Sequence, residues 1–235
     1  PAIPPSRHEQ GKQGMNRVEN DKTWLLKAES GAALRAAARL AIERGLAGLE
    51  WAVDVPGTVG GAVVGNAGAY GGYISDNLYG VSVFSAEDGE RWWARSELGL
   101  GYRTSVFKKG KMTAGFAPVI LSATFALQAG DPAVLRAKAA EYSKRRMESQ
   151  PQGMSAGSVF KRSMQYPAGF LIENAGLKGA RVGGAVVSTQ HANFIINLGT
   201  ATARDVQELI ELIRTTVYAR FKVMLELEIE LVGDW

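Results

Sequence analysis

Residues able to do chemistry gather in four short segments of the 235-residue chain. Residues 56–72 read PGTVGGAVVGNAGAYGG, seven glycines in 17 positions with mostly small partners. Glycines reach positive φ and let a ligand approach the chain, so such a cluster means closely packed backbones or amides turned toward an anion. Neither the G-x-x-x-x-G-K-[ST] loop nor the Rossmann spacing is present. Residues 101–108, GYRTSVFK, hold Tyr102 and Arg103. A guanidinium stays charged at any working pH and can grip a carboxylate at two points. Residues 155–162, SAGSVFKR, hold Ser158, Lys161 and Arg162. A serine hydroxyl is a poor acid that can serve only a strongly basic partner, and no G-x-S-x-G elbow or nearby histidine suggests a hydrolase triad. Near the end, VMLELEIELV puts Val223, Leu225, Leu227, Ile229 and Leu231 on one side of a strand and Glu226, Glu228 and Glu230 on the other. Taken singly these features are ordinary: turns, a surface arginine, a solvated acidic face.

Composition narrows the classes. The chain is 46% hydrophobic and 21% charged, enough for a real core, which excludes disorder and collagen. A net charge of +4 is spread along the chain rather than gathered in a tail, and the cluster Lys144, Arg145 and Arg146 sits where a helix end favours cations. No nucleic-acid partner is expected. There is no cysteine, and histidine occurs only at His8 and His191, so neither a disulfide framework nor a dedicated metal site is expected and a reducing compartment suits the chain. The apolar run at 117–127 is interrupted by Ser122 and Thr124 and is too short for a membrane helix, and residues 1–20 lack a signal-peptide core.

The elements that must position the four segments follow from periodicity. Residues 1–22 read as a poorly ordered lead-in. A strand is predicted at 23–28, then a helix capped by Ser30, with Leu34, Ala37, Ala38 and Ala41 on one face and Gly45 at its end. Residues 78–127 read as antiparallel strands with a hairpin around Asp88-Gly89. Asp131-Pro132 opens a helix running to about Met147, and the polar break ESQPQGMSAGS marks a domain boundary. A second glycine-rich stretch, the strand-like HANFIINLG, and a helix from Thr202 capped by Asp205 follow, with Val206, Leu209, Ile210, Ile213 and Val217 on its apolar face.

Read in order, residues 48–72, GYRTSVFK, SAGSVFKR, AGFLIENAGLKG (168–179), HANFIIN (191–197) and the terminal LELEIELVG closely resemble the UDP-N-acetylenolpyruvoylglucosamine reductase family, flavoenzymes of peptidoglycan synthesis also called UDP-N-acetylmuramate dehydrogenases. The resemblance covers about residues 23–235. It implies an α+β fold: the second lobe of a two-lobed FAD-binding domain of the vanillyl-alcohol-oxidase type at 23–148, an α+β substrate-binding domain at 149–222, and a last strand, 223–235, returning to the FAD-binding domain. Residues 1–22 are an unmatched tail in this reading.

The implied chemistry is NADPH-dependent, FAD-mediated reduction of UDP-N-acetylglucosamine enolpyruvate. Hydride addition needs a cation facing the carboxylate that holds developing enolate charge, and Arg103 matches the family's residue for that task. Ser158 matches the proton donor, and Glu228 the carboxyl group that assists. Gly57, Thr58, Val59, Gly60, Gly61, Asn66, Ala67, Gly68, Ala69, Tyr70 and Gly71 match segments lining a non-covalent FAD, where small residues let amides approach the pyrophosphate and isoalloxazine. Tyr102, Lys161 and Arg162 match substrate contacts. Glu230 and Ser163 depart from residues common in the family. Too little chain lies between Phe107 and Ser155 for one branch's tyrosine-bearing loop, which implies the shorter-loop branch. The resemblance further implies a cytoplasmic monomer acting on a nucleotide sugar, with no nucleic-acid or membrane partner. No glycine-serine-asparagine loop precedes Thr23, so the chain is expected to lack the first flavin lobe and to bind FAD poorly. Two rival expectations stand beside this one: a catalytically impaired fragment of that enzyme, and a related flavin-dependent sugar or alcohol oxidoreductase.

Overall fold

β-Branched and apolar residues at 119–129 make the longest strand among the described residues, and the N-terminal fold is built around it. The computed structural model describes residues 14–17, 23–108, 118–163 and 165–233; His8 and most of the lead-in lie outside them. The chain divides into two units, Pro1–Lys144 and Arg145–Trp235.

In the first unit, β1 (Gly14–Arg17) and β2 (Thr23–Glu29) precede helix α1 (Leu34–Glu43) and the short β3 (Leu46–Ala47). Helix α2 (Val59–Val64), a two-rung hairpin of β4 (Gly68–Ala69) and β5 (Gly72–Tyr73), and the short α3 (Ile74–Asn77) carry the glycine-rich segment. Next come β6 (Leu78–Ser85), β7 (Gly89–Ala94), β8 (Val119–Ala129) and α4 (Pro132–Ser149), inside which the unit boundary falls. The sheet order is β1-β2-β8-β6-β7, with β3 also paired to β8 and every pairing antiparallel. Leu26, Leu34, Leu49, Ile74, Leu98, Phe125 and Leu127 are fully buried in the core between sheet and helices.

The lead-in is not all tail, because residues 14–17 pair in register with β2. Ser30 does not cap α1: the N-cap is Ala33, without a side-chain bond, and the amide of Ser30 donates to the Leu121 carbonyl at 2.8 Å. Ser30 stands four residues before Leu34, held by main-chain bonds to Leu121 and Gly60, and so is not at the capping position. The other punctuation holds. Gly45 ends α1 at φ 68°, Ser85 pairs with Gly89 across the expected hairpin, and Asp131 Oδ1 accepts from the Ala133 amide at 2.7 Å.

The second unit contains α5 (Ala168–Asn174), the three-stranded sheet β11-β10-β9 (Ile195–Asn197, Ala185–Val187, Arg181–Val182) and α6 (Ala203–Phe221). Thr202 and Asp205 form the expected capping box, and Leu209, Ile210, Ile213 and Val217 of α6 bury against Phe160, Leu171, Ile172 and Val187. The expected C-terminal strand does not form. Residues 222–232 make one isolated bridge, Leu227 to Phe160, and Val223, Leu225, Leu227 and Ile229 pack on the second unit's own core. The alternation is real: its apolar residues face the second unit's own core, and its main chain pairs locally with residues 159–161.

Candidate active site

In the first unit the seven glycines of 56–72 divide by what surrounds them. A Cβ on Gly60, Gly68 or Gly72 would collide with Ser30, the Tyr73 ring or the Trp51 ring, so these three exist for close packing. Gly57 and Gly71 differ. They sit at φ 106° and 85°, and no described atom lies within 4 Å of where a Cβ would stand. Side chains are strained at such φ, and the space beside the backbone stays open.

Several amides expected at the cofactor are already used. Val59 donates to the Ala32 carbonyl at 2.8 Å, Gly60 to Ser30 at 2.9 Å, and Ala67 to Ala62 at 2.8 Å. The Thr58 hydroxyl caps α2 by accepting from Gly61 at 3.2 Å, which leaves its proton for a ligand acceptor. Val59 is wholly buried, so it and Gly60 shape the start of α2 and offer no amide donor. The indole Nε1 of Trp51, beneath Gly72, is buried without a hydrogen-bond partner among the described residues. Open backbone at two positive-φ glycines, an orphaned buried donor and a capping hydroxyl fit a flat, anionic, non-covalent cofactor such as FAD.

Arg103 is tied to this segment. Its Nη2 donates to the Gly68 carbonyl at 3.2 Å, and its guanidinium lies 5.5 Å from the Tyr102 ring centroid. Two side chains that sequence reasoning did not assign this role, or missed, hold the turn in place. Asn66, expected at the cofactor, is buried; its Nδ2 donates to the Gly101 carbonyl at 3.0 Å and its Oδ1 accepts from the Ser75 amide at 2.9 Å. Ser105, fully buried, donates to the Val64 carbonyl at 2.6 Å. Both are small polar residues with nothing in their local sequence to mark them as braces, a role visible only once the fold is known.

Backbone strain marks the same place. Among the described residues four non-glycine positions have positive φ: Asn66 (40°), Tyr70 (53°), Arg103 (53°) and Lys222 (57°). Lys222 is the left-handed cap of α6, whereas the other three all belong to the expected site. Strain of this kind persists only where the surroundings fix it, and it collects at functional sites.

In the second unit, residues 158–161 run extended between two other segments. Ser158 bridges Phe194 and Phe160 bridges Leu227, while the Glu228 amide donates to the Val159 carbonyl and the Lys161 amide to the Glu226 carbonyl, each at 2.8 Å. Ser158, Lys161 and Glu228 are therefore backbone neighbours across one local pairing, and Arg162 follows directly. Lys161 also meets Glu226 at 3.3 Å, so Glu226 is more than a face residue. That pair is exposed and worth about 0–1 kcal/mol, little enough for an anionic substrate group to compete with it. His191 is half-buried; burial holds its imidazole below the ordinary value, opposed by its own backbone hydrogen bond, and Lys178 lowers it further. Among the described residues no group of three or more histidine, aspartate or glutamate side chains is placed to hold a metal ion, and no helix is long and apolar enough to cross a membrane.

The first unit is thus an antiparallel sheet carrying a strained glycine-rich segment, and the second is a separate α+β unit. Residues 12–95 match the FAD binding domain family, beginning ahead of Thr23, where similarity was expected to start, and residues 149–232 match the C-terminal domain of UDP-N-acetylenolpyruvoylglucosamine reductase. The reductase of Caldicellulosiruptor bescii is 48% identical over 90% of this chain and 66% of its own length. That of Chloroflexus aurantiacus is 43% identical over 92% of this chain and 72% of its own. A crystal structure of the reductase from Thermus caldophilus superposes with a TM-score of 0.76 at 36% identity, covering 87% of this chain and 71% of that one. The chain belongs to the UDP-N-acetylenolpyruvoylglucosamine reductase family. It spans about two thirds of the length of the relatives it matches.

Proposed function

We propose that the protein reduces the enolpyruvyl ether of UDP-N-acetylglucosamine to UDP-N-acetylmuramate, a step of peptidoglycan precursor synthesis, as a cytoplasmic monomer with NADPH as reductant and no nucleic-acid partner. The observation that carries this reading is the strained, braced turn at Arg103 beside the glycine-rich segment, in a chain whose second unit presents Ser158 and Glu228 on adjoining backbone. When bound, FAD carries hydride from NADPH to the β-carbon of the enolpyruvyl double bond. Arg103 faces the carboxylate as charge flows onto it; a fixed cation there costs no reorganisation at the moment of reaction. The Ser158 hydroxyl delivers a proton to the α-carbon, which the enolate makes basic enough to accept from so weak an acid. Glu228 assists in its protonated or water-linked form, since a bare carboxylate would repel the enolate. Lys161, Arg162 and Tyr102 meet the charged groups of the nucleotide sugar. The atoms balance: one hydride and one proton enter, and the enol ether becomes a lactyl ether.

The test is an anaerobic experiment in two halves. FAD-loaded protein reduced by one equivalent of NADPH is expected to regain its oxidised visible spectrum on addition of one equivalent of the enolpyruvyl nucleotide sugar. Failure to reoxidise, with reoxidation instead by oxygen while a free sugar is consumed, would replace this reading with that of a sugar oxidase.

A further inference from the structure

The HANF segment, residues 191–194, has no part in the chemistry above, yet one of its side chains grips the segment that bears Ser158. Asn193 is buried, and its amide group makes a reciprocal pair with Phe160: Oδ1 accepts from the Phe160 amide at 3.0 Å and Nδ2 donates to the Phe160 carbonyl at 2.8 Å. Its backbone carbonyl accepts from the Val159 amide at 2.9 Å, and its own amide donates to His191 Nδ1 at 3.2 Å.

Residues 158–161 belong to no regular ladder; isolated bridges at Ser158 and Phe160 stand where a sheet would otherwise fix register. In an extended segment a slip of one residue turns every side chain to the opposite face. Such a slip would put Gly157 or Val159 where Ser158 stands. The side-chain pair with Phe160 opposes it, because a slip has to break both bonds of a buried amide at once and lift the buried Phe160 ring out of the core. Proton delivery by a weak acid depends on placement to within about half an ångström, so register is a catalytic variable here.

We propose that Asn193 is a positioning residue that acts through Ser158: its amide clamp on Phe160 fixes the register and depth of the proton-donating hydroxyl. This rests on the reading of Ser158 given above. The clamp needs both polar ends, so Asn193→Asp keeps size and one acceptor but turns an oxygen toward the Phe160 carbonyl.

The experiment uses the FAD-loaded protein in stopped flow, measuring flavin reduction by NADPH and reoxidation by the enolpyruvyl nucleotide sugar separately. Asn193→Asp is expected to leave reduction unchanged, to slow reoxidation by about ten-fold or more, and to shift the substrate concentration for half-maximal reoxidation by less than about three-fold. In a Ser158→Ala background the same change should slow reoxidation by less than about two-fold, since two residues acting as one unit do not add. Slowing that multiplies with that of Ser158→Ala, loss of substrate affinity at unchanged limiting rate, or no slowing at all would overturn the proposal. If Asn193→Asp does not fold, Asn193→Ser, which keeps a small polar group, is read by the same criteria. Wild-type protein that cannot be reoxidised by this sugar would overturn the functional reading itself; slowing lost only in the variants' pattern would overturn the clamp alone.

Discussion

At the scale of single residues, Arg103 shows how strain and function separate. A non-glycine residue in the left-handed region costs roughly 1–2 kcal/mol, and the charge-assisted hydrogen bond of Arg103 to the Gly68 carbonyl offsets it by about 1.5–3 kcal/mol. Arg103→Gly is therefore expected to melt within a few degrees of the parent while substrate-dependent turnover falls by about a hundred-fold or more, as for loss of a charge-stabilising donor. Melting by calorimetry and turnover by NADPH absorbance check the two halves. Ser158→Ala should leave flavin reduction intact and slow reoxidation by about a hundred-fold or more; equal loss in both half-reactions would remove Ser158 from its role. The roles proposed for Arg103, Ser158 and Glu228 rest on motif resemblance. The bracing by Asn66, Ser105 and Asn193 was not legible, because it lies in hydrogen bonds to carbonyls 35, 41 and 33 positions away, and no local spacing encodes such partners.

At the scale of elements, the capping box of α6 gives a pH prediction. Backbone hydrogen bonds from Thr202 first, then Gly184, hold the Asp205 carboxyl below the ordinary carboxylate range. Its contribution is present above the ordinary value and is lost as pH falls through the lowered folded value. Asp205→Asn should lower the melting temperature at pH 7 and narrow the gap to the parent as the solution is acidified through that range. His191 runs the other way in charge but not in direction. Its folded value lies below 6.5, so the unfolded chain takes up its proton first, and stability declines as pH falls below 6.5. His191→Gln should flatten that part of the melting-temperature profile, measured from pH 7 to 5. The cap of α6, the hairpin at Gly89 and the start of α4 could be read from sequence because each is set within a few residues. Ser30 and the strand expected at 223–232 could not. Their outcome was set by partners brought from elsewhere: the Leu121 carbonyl for Ser30, and the apolar core around α6 for Leu225 and Leu227.

At the scale of the whole chain, the residues proposed for the reaction fall in both units. The first carries the strained turn with Arg103 and the open backbone at Gly57 and Gly71; the second carries Ser158, Lys161 and Glu228 on segments held together by main-chain bonds. Each has its own buried core, so damage in one is expected to leave the other folded. A core change in the second unit, such as Ile210→Ala, should cost about 2–5 kcal/mol there while the visible spectrum recorded with added FAD stays that of the parent. Proteolysis combined with absorbance would follow both. The central claim is that these two sets of residues serve one reaction. Its most direct test is steady-state NADPH oxidation by the FAD-loaded protein with UDP-N-acetylglucosamine enolpyruvate as the only acceptor under anaerobic conditions. The account predicts one NADPH consumed per nucleotide sugar, with a product heavier by two hydrogens; NADPH consumption that ignores the nucleotide sugar, or none at all by flavin-loaded protein, would contradict it.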